Sequence, residues 1–357
     1  MGIKNSNIFQ MKRFWASLLL VQFLLFYAFS KLNFAITFFE IFFDIQKYIH
    51  QKIFSIFPFS IGDVLYVISG IILIYFFIKI LKNNSRSSYL FRLLIILNTF
   101  YFSYQIFWGM LYFQQPIIEK LPESKMTTEE IKTLSLKYLH RCIETRNHVQ
   151  EDKNGVFTIL DLNKIETEIL KNQAVLPAFL IKKNVTEINS FKPSLFGNLM
   201  SYTGIFGYYN PSTAEAMYNA KLPSTSLPFT LAHESSHQLG YAREQEANFI
   251  GYLIGKNSGN LDLKYSTEYF VLKSLLNSLA EKNPDFVKEV IQNYSPEMKR
   301  DRSEEKKFIK NHKGFLDTFF GFTNDIFLKS NQQEGSITYS YFVDLLVRYE
   351  NSESKKE

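Results

Sequence analysis

The chain has 357 residues, 46% of them apolar and 17% aromatic, with 40 Lys and Arg against 34 Asp and Glu and a single cysteine. Its mean hydropathy of -0.08 averages two unlike parts: up to Phe113 there are 10 basic and 3 acidic residues, a balance of +7, which leaves 30 and 31 from Gln114 onward, a balance of -1. The polar part thus has no excess charge for neutralising phosphates, which excludes a nucleic-acid partner, and lone Cys142 excludes both an internal disulfide framework and a cysteine-based zinc site.

Three apolar stretches come first in the chain. The run from Phe14 to about residue 34 approaches the roughly 20 residues that cross a hydrocarbon core. The second covers 61–81, and the third covers 89–113 with only Arg92 near its start. A cleaved signal peptide fits poorly, because the first apolar stretch continues into aromatic residues through Phe43 rather than ending at a small-residue site. Lys4, Lys12 and Arg13 precede the first span, and Lys79, Lys82, Arg86 and Arg92 surround the polar turn KNNSRSS. Cations of this kind mark cytoplasmic segments, so three spans carry everything after Phe113 to the other side. The aromatic-rich loop between the first two spans, where Lys31, Lys47 and Lys52 oppose Glu40 and Asp44, reads as an interfacial helix on the membrane face.

From Pro122 the pattern changes to charged helices, the first starting at Thr127 or Thr128 ahead of Glu129 and Glu130. Between Phe191 and Pro228, GIFGYYNP and AEAMYNA read as two short strands joined by a turn at Asn210-Pro211. Helical periodicity resumes at Leu227 and runs to Tyr349, with breaks near Gly259, Pro284, Pro296 and Gly335. The expected architecture is mostly α with a small β-sheet (α+β) at 114–357, preceded by a bundle of about three transmembrane helices at 1–113.

The chemistry concentrates in PFTLAHESSHQLGYAREQEANF. His233-Glu234-Ser235-Ser236-His237 is an HExxH pattern, and a helix advancing about 100° per residue sets positions four apart on one face, one turn along. Both imidazoles can then meet one ion, and catalytic zinc takes three protein ligands while keeping a position for water. Glu234 beside them suits a general base toward such a water. Leu231, Ala232 and Leu239 would bury this helix, and buried ionisable groups call for a compensating partner. The plain alternative is a surface pair of histidines beside a salt-bridged glutamate. Gly240 offers a break after which a second helix can turn back. On it Glu244 and Asn248 share a face, so Glu244 is the expected third ligand and Asn248 the hydrogen-bond partner of a ligating imidazole. Glu246 remains the alternative ligand, and Arg243 reads equally as a salt-bridge partner or as a holder of a substrate carboxylate.

HExxH followed by ExxAN resembles the glutamate-type zinc metallopeptidases, the gluzincins. In that family the first Glu of an ExxA[DN] helix is the third ligand; Glu244 matches that Glu and Asn248 the Asp/Asn. More closely, NPSTAEAMYNAKLPSTSLPFTLAHESSHQLGYAREQEANFIGYL, with KPSLFGNLMS before it and YSYFVDLL after it, looks like a family of Bacteroidota membrane proteins with a domain of unknown function. The resemblance implies a zincin-like catalytic domain, one zinc ion, a peptide or protein substrate, and a bacterial inner-membrane setting with the catalytic domain on the periplasmic side.

Zinc peptidases of this design hold substrate along a sheet edge, so Gly207, Tyr208 and Tyr209 are candidate substrate-binding residues, with an ordinary hairpin as the alternative. Tyr339 is the expected oxyanion-stabilising donor, ahead of Tyr265, and Glu215 can line the cleft. His140 and His148 read as surface or core residues, and His312 as part of a solvated helix. The functional expectation is a membrane-anchored zinc metalloendopeptidase, with a non-catalytic, zinc-stabilised membrane binding or signalling module as the alternative. A transport role fits less well, since the spans carry little buried charge. Intramembrane cleavage is not expected, because the motif stands more than a hundred residues beyond the last span.

Overall fold

The computed structural model describes residues 11–82, 86–123, 126–180, 183–314 and 338–353. It opens with α1 (Lys12–Phe29), α2 (Asn33–Phe54), α3 (Ile61–Lys82) and α4 (Arg86–Phe107). Of these, α1, α3 and α4 are long and apolar enough to cross a membrane, and α4 packs against both of the others. Gln22 donates to Asn98 (3.0 Å), and Asn98 to the Trp15 carbonyl (2.9 Å), so a polar chain links α1 and α4.

Two helix ends differ from the expected spans. The first helix stops at Phe29 rather than continuing to 34, where the Ser30 hydroxyl donates to the Tyr27 carbonyl (2.7 Å) and a tight turn follows. The third span ends at Phe107 rather than 113, because Trp108 leaves the helical region (φ -148°) and Gly109–Phe113 forms a short 3-10 turn.

The segment expected to lie on the membrane face forms helix α2, which has two unlike faces. Ala35, Phe39, Phe43, Gln46, Lys47 and Gln51 are buried, whereas Phe34, Phe38, Ile41, Ile45, Ile49 and Ile53 are each 48–72% exposed. Both sets recur at three- and four-residue spacing, so they occupy opposite faces.

The rest comprises α5 (Thr128–Arg146), α6 (Leu162–Gln173), β1 (Phe191–Pro193), α7 (Gly197–Thr203), β2 (Gly207–Asn210), β3 (Glu215–Tyr218), α8 (Leu227–Gln238), α9 (Glu244–Lys256), α10 (Leu261–Leu279), α11 (Pro284–Gln292), α12 (Pro296–His312) and α13 (Thr338–Glu353). Thr127 and Glu130 form a reciprocal capping box at the start of α5, and Pro284 and Pro296 stand in the first turns of α11 and α12. The expected break at Gly335 lies outside the described residues.

The sheet has the order β1-β3-β2. β2 runs antiparallel to β3 with Gly207 opposite Tyr218, while β1 pairs in parallel. Sequence reasoning missed β1, whose three residues FKP carry no alternation and end in proline. Beneath the sheet, α8 and α9 pack face to face, covered by α10 and flanked by α6, with α5 packed on α10. Gly251 of α9 permits this approach, since a Cβ there would stand 3.1 Å from the His233 backbone nitrogen. Leu231, Ala232, Phe249, Ile250, Tyr265, Leu272 and Phe342 fill the surrounding core. The architecture is thus mostly helical with a small three-stranded sheet.

Candidate metal centre

Helix α8 is buried along nearly its whole length, so its polar side chains need internal partners. The helix ends where Gly240 takes a left-handed backbone (φ +96°) and the Gly240 N–H donates to the His237 carbonyl (2.9 Å). The reversed chain enters α9 at Glu244, whose carboxylate returns to the histidines. His233 Nε2 stands 3.2 Å from one Glu244 oxygen and His237 Nε2 3.6 Å from the other. The three ligand atoms lie within 4.8 Å of one another.

The opposite nitrogens are held from outside. His233 Nδ1 is 2.8 Å from Asn248 Oδ1, and His237 Nδ1 is 2.6 Å from the Tyr241 carbonyl. A carbonyl accepts only, so His237 carries its proton on Nδ1 and turns the lone pair of Nε2 toward Glu244. Zinc bonds of about 2.0–2.1 Å in tetrahedral geometry separate neighbouring ligand atoms by roughly 3.4 Å. The two His–Glu separations bracket that value, all three ligand atoms lie within 4.8 Å of one another, and two imidazoles with a carboxylate are donors of the kind that hold a divalent ion.

Charge is tightly coupled here. Burial alone would lower His233, but the hydrogen bond and charge of Glu244 hold it up at about 9. Burial opposes ionisation of Glu244 too, yet both histidines bring it down to about 2. His237 is pushed down to about 4 by burial, with the charge of His233 adding to the effect. Glu234 is raised to about 8, first by burial and then by the nearby charge of Glu244. It is 3% exposed, and its Oε2 has no hydrogen-bond partner among the described residues. Gly207, the first residue of β2, lies against this carboxylate: a Cβ at Gly207 would come 2.6 Å from Glu234 Oε1.

The centre is walled by residues outside the motif. The Trp108 ring meets the His237 ring edge-on (centroids 5.7 Å apart) and the Tyr209 ring at 5.0 Å. Phe43 of α2 packs on Gly240 and joins Trp108, Tyr112 and Tyr209 in one buried cluster. Gln114 donates to the Gly240 carbonyl (2.7 Å), and Arg243 donates to the Gln114 carbonyl (2.7 Å). The chain leaving the last apolar helix is therefore laced to the α8–α9 turn.

Residues 38–347 match the family described as Protein of unknown function (DUF3810). The chain belongs to this family. No curated protein and no solved structure matches it. The family match starts within α2 and ends within α13, so it takes in the centre, the sheet, two of the three apolar helices and most of α2 together.

The remaining expected site residues divide in two. Glu246 is engaged elsewhere, accepting from the Ile117 N–H (2.7 Å) and pairing with Arg243 (3.2 Å). Arg243 thereby takes the salt-bridge role. Tyr208 donates to Asp63 at the start of α3, and Tyr209 is buried against Trp108 and Phe43, so both rings bind the apolar helices to β2. Glu215 does not line the centre. It accepts from the Ile61 and Gly62 N–H groups (3.1 and 2.7 Å) and from Thr213 (2.9 Å), capping α3. Tyr265 lies in a separate buried network, donating to Asp301 (2.7 Å), which also pairs with Arg146 (2.6 Å). The side chain of Tyr339, in the first turn of α13, lies outside the described residues. His140 and His148 are exposed, and His312 packs on Tyr202 and Phe308. Trp108, Phe43 and Gln114 escaped sequence reasoning. The signal for Trp108 was one of two tryptophans standing at the end of an apolar stretch, an interfacial mark.

Proposed function

We propose that the protein is a membrane-anchored zinc metalloendopeptidase, with His233, His237 and Glu244 as ligands and Glu234 as general base. The observation that carries this reading is a buried carboxylate with an unpartnered oxygen beside three converging ligand atoms. A zinc ion held there would acidify a bound water and polarise a peptide carbonyl. Glu234 would take a proton at Oε2 and later deliver it to the leaving amine nitrogen. Asn248 and the Tyr241 carbonyl keep the two imidazoles oriented. Burial by Trp108 and Phe43 excludes bulk water from the His237 side. We assign the three apolar helices as spans of a bacterial inner membrane, with the N-terminus cytoplasmic and the part after α4 extracytoplasmic, on the strength of the cations flanking α1 and the α3–α4 turn.

A zinc-stabilised binding module is the second reading. Glu234 weighs against it, because a buried carboxylate that neither ligates nor pairs costs stability and serves nothing in a purely structural site. The deciding experiment uses the full chain in lipid nanodiscs, with zinc measured by elemental analysis and cleavage of fluorescent casein as readout. We expect about one zinc per chain, lost in His237→Ala, and a Glu234→Gln variant that keeps zinc while activity falls by about 10²–10⁴-fold. Equal activity in Glu234→Gln would favour the binding module. Absence of zinc from the folded, metal-replete chain would sink both readings.

A further inference from the structure

Three features fix the height of the metal centre relative to the apolar helices. The first is the end of α4. Its 22 residues span about 33 Å at 1.5 Å per residue, close to the roughly 30 Å of a hydrocarbon core. Trp108 follows directly, at the level where tryptophan gathers in membrane proteins, and its ring touches His237. One side chain thus separates a metal ligand from the end of a span.

The second is α2. Its inner face is fastened to the elements around the centre: Phe43 to Gly240, Gln46 to the Pro211 carbonyl (2.5 Å), Lys47 to the Asn184 carbonyl (3.0 Å) and Gln51 to Ser190 (3.3 Å). Its outer face presents Phe34, Phe38, Ile41, Ile45, Ile49 and Ile53. An apolar stripe of that kind, continuous with neighbouring spans, fits the acyl-chain boundary of a bilayer. The third is the hold of α3 on the sheet. Asp63 accepts from Tyr208 and from the Leu195 N–H (2.7 Å), and Glu215 caps Ile61 and Gly62. The strand that presses Gly207 on Glu234 is thereby hung from the first turn of a span.

We propose that the centre works at the membrane surface on extended polypeptide segments tethered to the bilayer, the stretches where a lipid-anchored or membrane-spanning protein emerges, rather than on freely diffusing chains. The substrate class rests on the peptidase reading; the height of the centre does not. A segment bound at a centre held by α2, the start of α3 and the end of α4 needs only a short tether to reach it.

The height is tested without enzymology. The chain has two tryptophans, so Trp15→Phe leaves Trp108 as the sole reporter. In nanodiscs of lipids brominated near the headgroup or deep in the chain, Trp108 emission is expected to be quenched at least about threefold more by the shallow bromines. Little quenching by either, or stronger quenching by the deep ones, overturns the placement. The substrate class is tested with one decapeptide from the strongest casein cleavage site, offered free or palmitoylated through a spacer of 3 or 25 residues. The short spacer reaches about 10 Å when extended, whereas the long one behaves as a coil of roughly 28 Å. Cleavage of the short-tethered peptide is expected to exceed that of the long-tethered and free forms by about tenfold. Equal rates, or preference for the long spacer, overturn the proposal and leave the peptidase reading standing. No cleavage of any form by the zinc-loaded chain sinks the peptidase reading itself, with the Trp108 measurement still deciding the height.

Discussion

Gly207 and Asn248 act on the centre from opposite sides, and each can be tested by removing or adding a few atoms. A methyl group at Gly207 would meet the Glu234 carboxylate at van der Waals overlap, so Gly207→Ala is expected to displace the proposed general base without touching a ligand. Zinc content should stay unchanged while kcat falls by about 10–100-fold, within the range that a misplaced acid or base costs. Asn248 hydrogen-bonds the nitrogen of His233 that faces away from Glu244. Its replacement by Ala is expected to weaken zinc binding by about 10–100-fold, read by competition with a chromogenic chelator. Preserved zinc affinity would show that the orientation of His233 is secured by packing alone. Helical periodicity placed His233 with His237 and, separately, Glu244 with Asn248; bringing the two pairs together rested on the break at Gly240 and on the resemblance to the gluzincins. Gly207 was singled out as a strand residue. Its contact with Glu234 was not legible, because it depends on how a three-stranded sheet crosses α8.

Between elements, two carboxylates show how the fastening works. Glu215 is fully buried and joins β3 to the first turn of α3, where a negative charge also complements the helix N-terminus. Glu215→Ala leaves two N–H groups without their acceptor and is expected to cost about 2–4 kcal/mol, measured as a lower thermal midpoint in detergent; Glu215→Gln, which keeps an acceptor oxygen, should recover part of it. Glu350 of α13 takes Lys137 (2.6 Å) and Tyr138 (3.1 Å) of α5 and Tyr252 of α9. Burial works against its ionisation, but Lys137, Tyr252 and Lys256 bring its carboxyl down to about 2 from 4.5. A lowered folded value means the contribution is complete above about 4.5 and is lost as pH falls toward 2, on the order of 3 kcal/mol in all. Thermal unfolding between pH 6 and 3 should therefore show a drop that Glu350→Gln flattens. Helix α5 was legible through Thr127 and Glu130, and α11 and α12 through their prolines, since caps are local. β1 and the capping of α3 by Glu215 were not, because both join residues far apart in sequence.

Across the whole molecule, 124 positions separate Trp108 from Ala232, the residue before the motif, yet Trp108 rests on His237. Sequence distance from the last span argued against intramembrane cleavage, and the charge balance supported a cut at Phe113. The apolar runs marked the three helices long enough to cross a membrane. They could not reveal that Phe43, Trp108 and Gln114 form one wall of the centre, because those contacts follow from tertiary packing. The proposed topology has a direct check. The Lys164 side chain is 77% exposed and Cys142 is buried, so Lys164→Cys is expected to react with a membrane-impermeant maleimide added to spheroplasts, while the unaltered chain stays unlabelled. Labelling only after lysis would reverse the orientation.

The attachment of α3 to the sheet at one end and of α4 to His237 at the other has a mechanical reading. Both helices are 22 residues long, and a helix longer or shorter than the surrounding hydrocarbon adjusts by tilting. A change of tilt would move the Ile61 end relative to Glu215 and the Trp108 end relative to His237, so bilayer thickness becomes a coordinate of the centre's geometry. On the peptidase reading, the chain reconstituted across a series of phosphatidylcholines with 14 to 22 acyl carbons is thus expected to show an optimum in turnover at one thickness, with the lipid chain length acting as a tuning parameter in the way that pH does for soluble hydrolases.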